Sequence, residues 1–281
     1  MSTSLQRLAD LGWLDGAPSS PAINGLLATP ETDQIADAIM AYQQWHGLPV
    51  TGEMDPHTVR SLHAPRFCSK DILPSMLLGV AEARTPPRLP SNAIHIGFTN
   101  AWPIPTDDIY AAGKWATDEI SRVCGAVFVW VQDGPLPPSY QSAILAASGP
   151  IDGSGGTLAW SELANGQEGG PRSTINQKYD SRESWKVQIA LGKPPASGID
   201  PSLVILHETL HALGIPHING EVAVMNPTYN AALTKLQPAD IRELVARYGE
   251  PAQQPAPPPA PPSAGVEQYE ITGKDIVIRR L

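Results

Sequence analysis

Three of the seven histidines lie within the eleven-residue string HETLHALGIPH, from His207 to His217. His207 and His211 are four positions apart, so on a helix their imidazoles share one face and can bind one metal ion. Gly214 can adopt the left-handed conformation that ends a helix, and the chain can then return with His217 as a third ligand. Three histidines leave one coordination position open, which is typical of a catalytic zinc site.

Glu208 directly follows the first of these histidines, and its carboxylate could reach a water bound to the zinc ion. Zinc lowers the pKa of such a water to about 7 and polarises a carbonyl group. Glu208 would take the proton of the water and later deliver it to a leaving amine. The string therefore predicts hydrolysis of an internal peptide bond. A lone histidine is more often a surface or core residue than a metal ligand. The complete string is far more specific for a zinc site than any single histidine.

A methionine follows the third histidine after eight residues, in the segment VMNPTY (224–229). Together with the histidine string this is the metzincin signature. Residues 65–250 resemble the matrixins, the matrix-metalloproteinase type of zinc endopeptidase. The resemblance implies that Met225 forms a hydrophobic base beneath the zinc. It also implies a wall for the pocket that takes the residue after the cut bond, made of Pro227, Thr228 and Tyr229.

Two further segments, PIDGSGGTLAW (150–160) and YDSRESW (179–185), resemble the parts of matrixins that build a structural calcium site. Oxygen ligands with several carboxylates suit calcium, whereas an ordinary glycine turn with solvated acids is the alternative. The resemblance implies as ligands the side chains of Asp152, Asp180 and Glu183 and the backbone carbonyls of Gly153, Gly155 and Thr157.

Matrixins usually hold a second, structural zinc through histidines that flank this loop. The matching positions carry Trp160 and Lys178, and no histidine lies between residues 96 and 206. We therefore expect one zinc ion per chain. Leu158 and Ala159 keep the position of the edge strand, so backbone pairing with an extended peptide is expected.

A cysteine lies between the two main regions of the chain, in PRFCSKD (65–71). Matrixin propeptides carry Pro-Arg-Cys-Gly-x-Pro-Asp, whose thiolate occupies the open zinc position and keeps the enzyme latent. Pro65, Arg66 and Asp71 match this motif, and Arg66 would pair with Asp71, but the cysteine comes one residue late and the glycine is missing. Cys68 is the candidate latent zinc ligand; a buried free thiol or a disulfide with Cys124 is the alternative.

Apolar spacing predicts the elements that position these residues. Alternation at Ile94, Ile96 and Phe98 predicts a strand, and residues 126–131 and 142–148 predict two more. Helices are predicted after an N-cap at Thr106, from Asp200-Pro201, and from Pro238 to Gly249. The order favours an α/β (α+β) layer, and the resemblance implies a metzincin-type mixed twisted sheet with two long helices and a C-terminal helix.

The region before the cysteine has two apolar stripes at helical spacing and the helix start Asp55-Pro56. It resembles the peptidoglycan-binding-like domain, a three-helix unit that matrix-metalloproteinase propeptides often carry. We therefore divide the chain into five parts: residues 1–64, the peptidoglycan-binding-like domain, taken as a propeptide; 65–91, the cysteine segment and an exposed connector; 92–250, the matrixin-like catalytic domain; 251–265, a proline-rich linker; and 266–281, a short β tail.

Composition limits the remaining possibilities. A length of 281 residues suggests about two domains, and a net charge of −9 argues against a general binder of nucleic acid or anionic membranes. No apolar run approaches the roughly 20 residues that span a bilayer. The first sixteen residues show no secretory signal, so the protein stays inside, leaves by another route, or does not begin at its native start. The family implies an extracellular location.

Two alternatives to a latent zinc endopeptidase stay open. Residues 1–64 could anchor a cell-wall-associated protein to peptidoglycan while the remainder is a degraded scaffold, although the intact histidine string argues against degradation. The enzyme could instead cut the peptides of peptidoglycan, although the edge strand and apolar pocket favour protein substrates. The expected partners are a protein or peptide substrate and peptidoglycan, and a monomer is expected.

Overall fold

The computed structural model describes residues 3–14, 32–68, 88–132, 135–164, 172–194, 198–251, 269–272 and 275–278. The chain divides into two compact units, Met1–Pro251 and Ala252–Leu281. The predicted connector around Pro86-Pro87 and nearly all of the proline-rich linker lie outside the described residues, as does Asp71. The five-part division of the chain stays a prediction.

Three helices form the first part of the larger unit: α1 (Thr3–Asp10), α2 (Thr32–Trp45) and α3 (Pro56–Leu62). Their apolar side chains share a small core of their own that includes Leu8, Leu11, Ile39, Tyr42 and Leu62. The carboxylate of Asp55 accepts the backbone N–H groups of His57 and Thr58, as its place before a proline predicts. The predicted three-helix unit is confirmed.

A mixed sheet forms the centre of the larger unit. Its strands are β1 (Arg66–Cys68), β2 (Ala93–Phe98), β3 (Val127–Trp130), β4 (Ser142–Gly149), β5 (Thr157–Ser161) and β6 (Ser173–Asp180). The strand order is β1-β5-β6-β4-β2-β3, and only the β5–β6 pair is antiparallel within this sheet. The five strands from β5 to β3 confirm the predicted mixed sheet, and β1, from the cysteine segment, adds a sixth at the edge beside β5.

Among the residues that the structure describes, three α-helices and a short 3₁₀ helix (Ile189–Leu191) complete this unit. The α-helices are α4 (Thr106–Ser121), α5 (Pro201–Ala212) and α6 (Pro238–Tyr248). The predicted N-cap at Thr106 is wrong by one residue. The carbonyl of Pro105 already accepts the first helical hydrogen bond, from Ile109, so Thr106 is the first helical residue. Asp107 and Asp108 in the first turn favourably face the positive end of the helix dipole.

The smaller unit contains an antiparallel pair, β7 (Tyr269–Thr272) and β8 (Asp275–Ile278). These two short strands agree with the predicted short β tail. Within the described parts of the chain, every helix is too short or too polar to traverse a lipid bilayer.

Candidate metal centre and substrate cleft

Helix α5 carries the first two histidines and Glu208, and it is a core helix. Asp200 caps its start, because one carboxylate oxygen accepts the N–H of Ser202 at 2.9 Å. All twelve residues of the helix are buried. A helix held on every side can present its His207 and His211 side chains at defined positions.

The helix ends as the glycine predicts. Gly214 has a φ of 90°, and its N–H donates to the carbonyl of His211 at 2.8 Å. The next N–H, from Ile215, donates to the carbonyl of Leu210 at 3.1 Å. These two bonds form a Schellman motif, which reverses the chain direction. His217 therefore returns to the helix, with its ring centroid 5.4 Å from that of His207 and 4.8 Å from that of His211.

Four buried side chains converge at this place: Cys68, His207, His211 and His217. One ligand atom from each lies within 4.8 Å of the others. No other group of His, Cys, Asp or Glu side chains with such spacing occurs among the residues that the structure describes. Thus the structure brings together the three predicted histidines and the candidate latent ligand, although Cys68 is remote in sequence.

Hydrogen bonds orient two of the imidazoles. Nδ1 of His207 lies 2.7 Å from the carbonyl oxygen of Val224, and Nδ1 of His211 lies 2.7 Å from that of Ile215. A carbonyl can only accept, so each Nδ1 carries the proton and each Nε2 keeps its lone pair for a metal. The buried Nε2 of His211 has no hydrogen-bond partner among the described residues. This donor set fits a zinc ion.

Burial controls the protonation of the centre. It lowers the pKa of His211 to about 4 and holds the pKa values of His207 and His217 well below the usual range. Neutral imidazoles are the form that binds metal. Burial also raises the pKa of Glu208 to about 8 and, together with the nearby Glu208 carboxylate, raises that of the Cys68 thiol. The Cys68 Sγ donates to Oε1 of Glu208 at 3.3 Å.

The methionine turn contacts the centre through the carbonyl of Val224, and Met225 is fully buried. The expected role of Met225 as a base beneath the zinc stays a prediction. Asp240, from α6, accepts the N–H groups of Val224 and Met225 at 2.9 and 3.1 Å. The carbonyl of Val224 in turn orients His207. Sequence reasoning missed Asp240; the available signal was an acid three positions after Gln237, at the start of a helix with a proline.

The cleft beside the centre lies between strand β5 and the segment 227–229. Leu158 and Ala159 are fully buried in β5, and Cys68 pairs with Ala159 in parallel register. On the other side, the N–H of Tyr229 donates to the carbonyl of Pro65 at 3.1 Å. The cysteine segment therefore occupies the edge at which a substrate strand was expected. Sequence reasoning also missed Phe67, which lies between the two sides of this cleft.

The predicted calcium ligands gather at one loop. Asp180 accepts the N–H groups of Asp152 and Gly153, and Glu183 accepts that of Gly155, at distances of 2.8 to 3.0 Å. A Cβ at Gly156 would lie 2.7 Å from Oδ1 of Asp152, so only glycine lets the loop close this tightly. The donor chemistry suits calcium, but the three carboxylates hold backbone N–H groups and do not form a metal-spaced group.

The positions of the expected second zinc ligands are cross-strand neighbours. Trp160 in β5 is paired with Lys178 in β6. A protonated lysine and an indole offer no lone pair for zinc. The expectation of a single zinc ion per chain therefore stays a prediction, made on residue type.

The helical unit contacts the segment after the third histidine and the loop of the predicted calcium ligands. Asn219, just past the third histidine, donates its side-chain N–H to the carbonyl of Trp45. The Arg7 guanidinium lies 3.7 Å from a carboxylate oxygen of Asp152. Arg66 is fully buried and interacts with the Tyr42 hydroxyl; its predicted partner Asp71 lies outside the described residues. Cys68 and Cys124 are both free thiols, so they form no disulfide.

Both main regions of the chain are similar to known families. Residues 139–249 match the family model "Matrixin", and residues 6–62 match the "Putative peptidoglycan binding domain". The chain is 29% identical to mouse matrix metalloproteinase-25 over 90% of its own length and 42% of that protein, and 29% identical to human matrix metalloproteinase-16 over 83% and 39%. It is 29% identical to cat matrilysin over 78% of its own length and 80% of that protein.

The chain thus spans about two fifths of the matrix metalloproteinases-25 and -16 that it matches. Both matched segments agree with the regions that the sequence motifs single out. The predicted resemblance is therefore confirmed: this chain is similar to the matrixins, with a peptidoglycan-binding-like domain in front of the matrixin-like one.

Proposed function

We propose that this protein is a zinc-dependent endopeptidase made as a latent precursor. One observation carries the proposal: the ligand atoms of His207, His211, His217 and Cys68 lie within 4.8 Å of one another, beside an edge strand that can pair with a peptide. The similarity to matrix metalloproteinases and matrilysin supports the same reaction. It favours a peptidase over a cell-wall binding protein.

The three histidines would hold the zinc ion. Zinc, when bound, supplies Lewis acidity that makes water a nucleophile near neutral pH and polarises a carbonyl group. Glu208 is the base, because it directly follows His207 on α5 and is buried in the same centre. It takes a proton from the attacking water and delivers it to the leaving amine. In the metal-free centre covered by Cys68, burial raises the pKa of this carboxyl above its usual range.

The backbone of β5 would orient the substrate. An extended peptide beside Leu158 and Ala159 would add a strand to the sheet and place its scissile carbonyl at the centre. Segment 65–68 occupies this edge, so peptide and segment exclude each other. The Cys68 thiol also contacts both His207 and Glu208. These contacts support latency through Cys68, although the cysteine is one residue later than in the family motif.

Three further roles belong to the same proposal. Asp152, Asp180 and Glu183 would bind a calcium ion together with the carbonyls of their loop. Residues 1–64 act as a propeptide, and their match to a peptidoglycan-binding model makes cell-wall glycan a candidate partner. The place of action is extracellular, as the resemblance implies.

The proposal is tested by hydrolysis of a quenched generic peptide by the full chain, before and after treatment with an organic mercurial. We expect activity to rise upon thiol modification and to vanish with a zinc chelator. Full activity before treatment would retain the peptidase and remove Cys68 as the latency residue. No hydrolysis in any state, with one zinc bound per chain, would contradict the endopeptidase.

A further inference from the structure

Phe67 is the residue by which this chain departs from the family motif, since it stands between the arginine and the cysteine. Its side chain is fully buried. The ring lies nearly parallel to the imidazole of His207, with centroids 4.1 Å apart and an interplanar angle of 10°. The ring of Tyr229 meets it edge-on at 5.3 Å and 62°. Two residues of the proposed catalytic cleft therefore enclose this one ring.

The backbone around Phe67 is held on both sides. Its N–H donates to the carbonyl of Pro227 at 3.0 Å, while the N–H of Arg66 donates to the carbonyl of Gly156 at 3.1 Å. The first bond goes to the segment 227–229, and the second goes to the residue just before the edge strand β5. A chain segment held in this way is in the position of an added strand, which is the way an extended peptide binds. The side chain of Phe67 in this segment then indicates which kind of substrate side chain the adjoining pocket can accept.

We propose that Phe67 occupies the pocket that receives the substrate side chain directly after the cut bond, and that this pocket prefers an aromatic ring to a branched aliphatic side chain. The inference rests on the proposed endopeptidase function and names its substrate class. A flat ring gains the parallel contact with His207 and the edge contact with Tyr229, which add to the burial of its area. A leucine of similar polarity has no flat face and loses both contacts.

The same placement makes Phe67 a second obstacle to substrate, independent of the thiol. Removing Cys68 alone leaves the ring between His207 and Tyr229 and leaves the backbone bonds of the segment in place. The pocket is therefore open only when the ring has left. An assay of preference needs a chain in which both side chains are removed.

The test uses the full chain with the substitutions Phe67→Gly and Cys68→Ser together. Two peptides are compared that differ only in phenylalanine or leucine after the cut bond. Because a hydrophobic pocket commonly discriminates by a factor of about ten or more, we expect kcat/KM to be about tenfold higher for the phenylalanine peptide. Phe128→Gly with Cys68→Ser is the matched control, since Phe128 lies in β3 at the opposite edge of the sheet. This control chain should hydrolyse the phenylalanine peptide only as fast as Cys68→Ser alone does, and more slowly than the Phe67→Gly chain.

Equal or better hydrolysis of the leucine peptide would overturn the aromatic preference and leave the endopeptidase intact. No hydrolysis of either peptide by the zinc-loaded chain would overturn both. A second variant, Phe67→Leu with Cys68→Ser, keeps the volume and guards against loss of folding in the glycine variant. It should hydrolyse the phenylalanine peptide faster than Cys68→Ser alone, because leucine leaves the pocket more readily than the ring does.

A readout without catalysis tests the placement itself. In a metal-free Cys124→Ser chain, the rate at which a thiol reagent modifies Cys68 measures how often the segment opens. We expect Phe67→Gly to raise that rate at least about tenfold, because the two aromatic contacts are lost. An unchanged rate, with an unchanged melting temperature, would show that Phe67 does not hold the segment in the pocket.

Discussion

Sγ of Cys68 and Nε2 of His207 lie 3.5 Å apart, although the two residues are 139 positions apart in the chain. The thiol donates to Glu208 as well, so one side chain from the cysteine segment contacts both a metal ligand and the proposed base. In the proposed endopeptidase, substrate access and latency would therefore depend on the same few atoms.

Replacement of Cys68 by serine removes the thiol but keeps the size of the side chain. We expect the full chain to gain peptidase activity several-fold without a mercurial and to become insensitive to it. The comparison is Cys124→Ser, which changes the other buried thiol and should stay latent. Equal activation by both variants would mean that loss of packing, and not loss of a ligand, opens the cleft.

Replacement of Glu208 by glutamine removes the base and retains the shape of the side chain. We expect kcat to fall by about a thousandfold, within the range that general acid–base catalysis contributes, while zinc content stays at one ion per chain. The value of kcat is measured in chains that also carry Cys68→Ser, because the proposed latency would otherwise hide the effect. Glu221→Gln, an exposed acid paired with Arg242, is the control and should leave kcat unchanged. Near wild-type turnover in the Glu208 variant would remove it as the base.

Asp240 positions the methionine turn through two N–H groups of residues 224 and 225. Asp240→Asn leaves one carbonyl oxygen to accept them and aims an amide group at the other N–H. We expect the free energy of unfolding to fall by about 1 to 3 kcal/mol and zinc to dissociate faster, since Val224 also orients His207. Urea unfolding and metal release to a chelator measure the two effects. Unchanged zinc release at reduced stability would limit Asp240 to a structural role.

Acid should weaken the helical unit through His46. Burial, and secondarily Arg66, lower the pKa of His46 to about 3 in the folded chain. Between pH 6.5 and 3 the unfolded chain binds the extra proton, so stability falls as the pH falls, by at most about 1.4 kcal/mol per pH unit. Unfolding by urea at pH 7 and pH 5 should show a smaller difference for His46→Gln than for the wild type. His57→Gln, at an exposed position, should behave as the wild type does.

Calcium should stabilise the loop at residues 152–157. At a hundredfold excess over its dissociation constant, a ligand that binds only the folded state adds about 2.7 kcal/mol. We expect the melting temperature to rise with calcium in the wild type and not in Asp180→Asn. Asp118→Asn, an exposed acid on α4 that pairs with Lys114, is the control. A calcium effect that survives Asp180→Asn would refute this set of ligands.

The local features of the chain, such as where helices begin and end, could be predicted from residue types alone. The helix start at Asp200-Pro201, the spacing of His207 and His211, and the stop at Gly214 all arise from interactions within a few positions. Such interactions depend on neighbours in sequence, so they can be predicted from the sequence before the fold is known. The N-cap of α4 was misplaced by one residue because proline and threonine compete for that position.

Contacts between distant segments could be established only once the chain was folded. Three contacts join residues from separate elements. Cys68 pairs with Ala159, Asp240 accepts hydrogen bonds from the methionine turn, and Phe67 packs against His207. Residue types predicted a zinc site and the histidines that would build it. Packing decided which side chain lies over that site, because one extra residue in a short segment changes which atom reaches the centre.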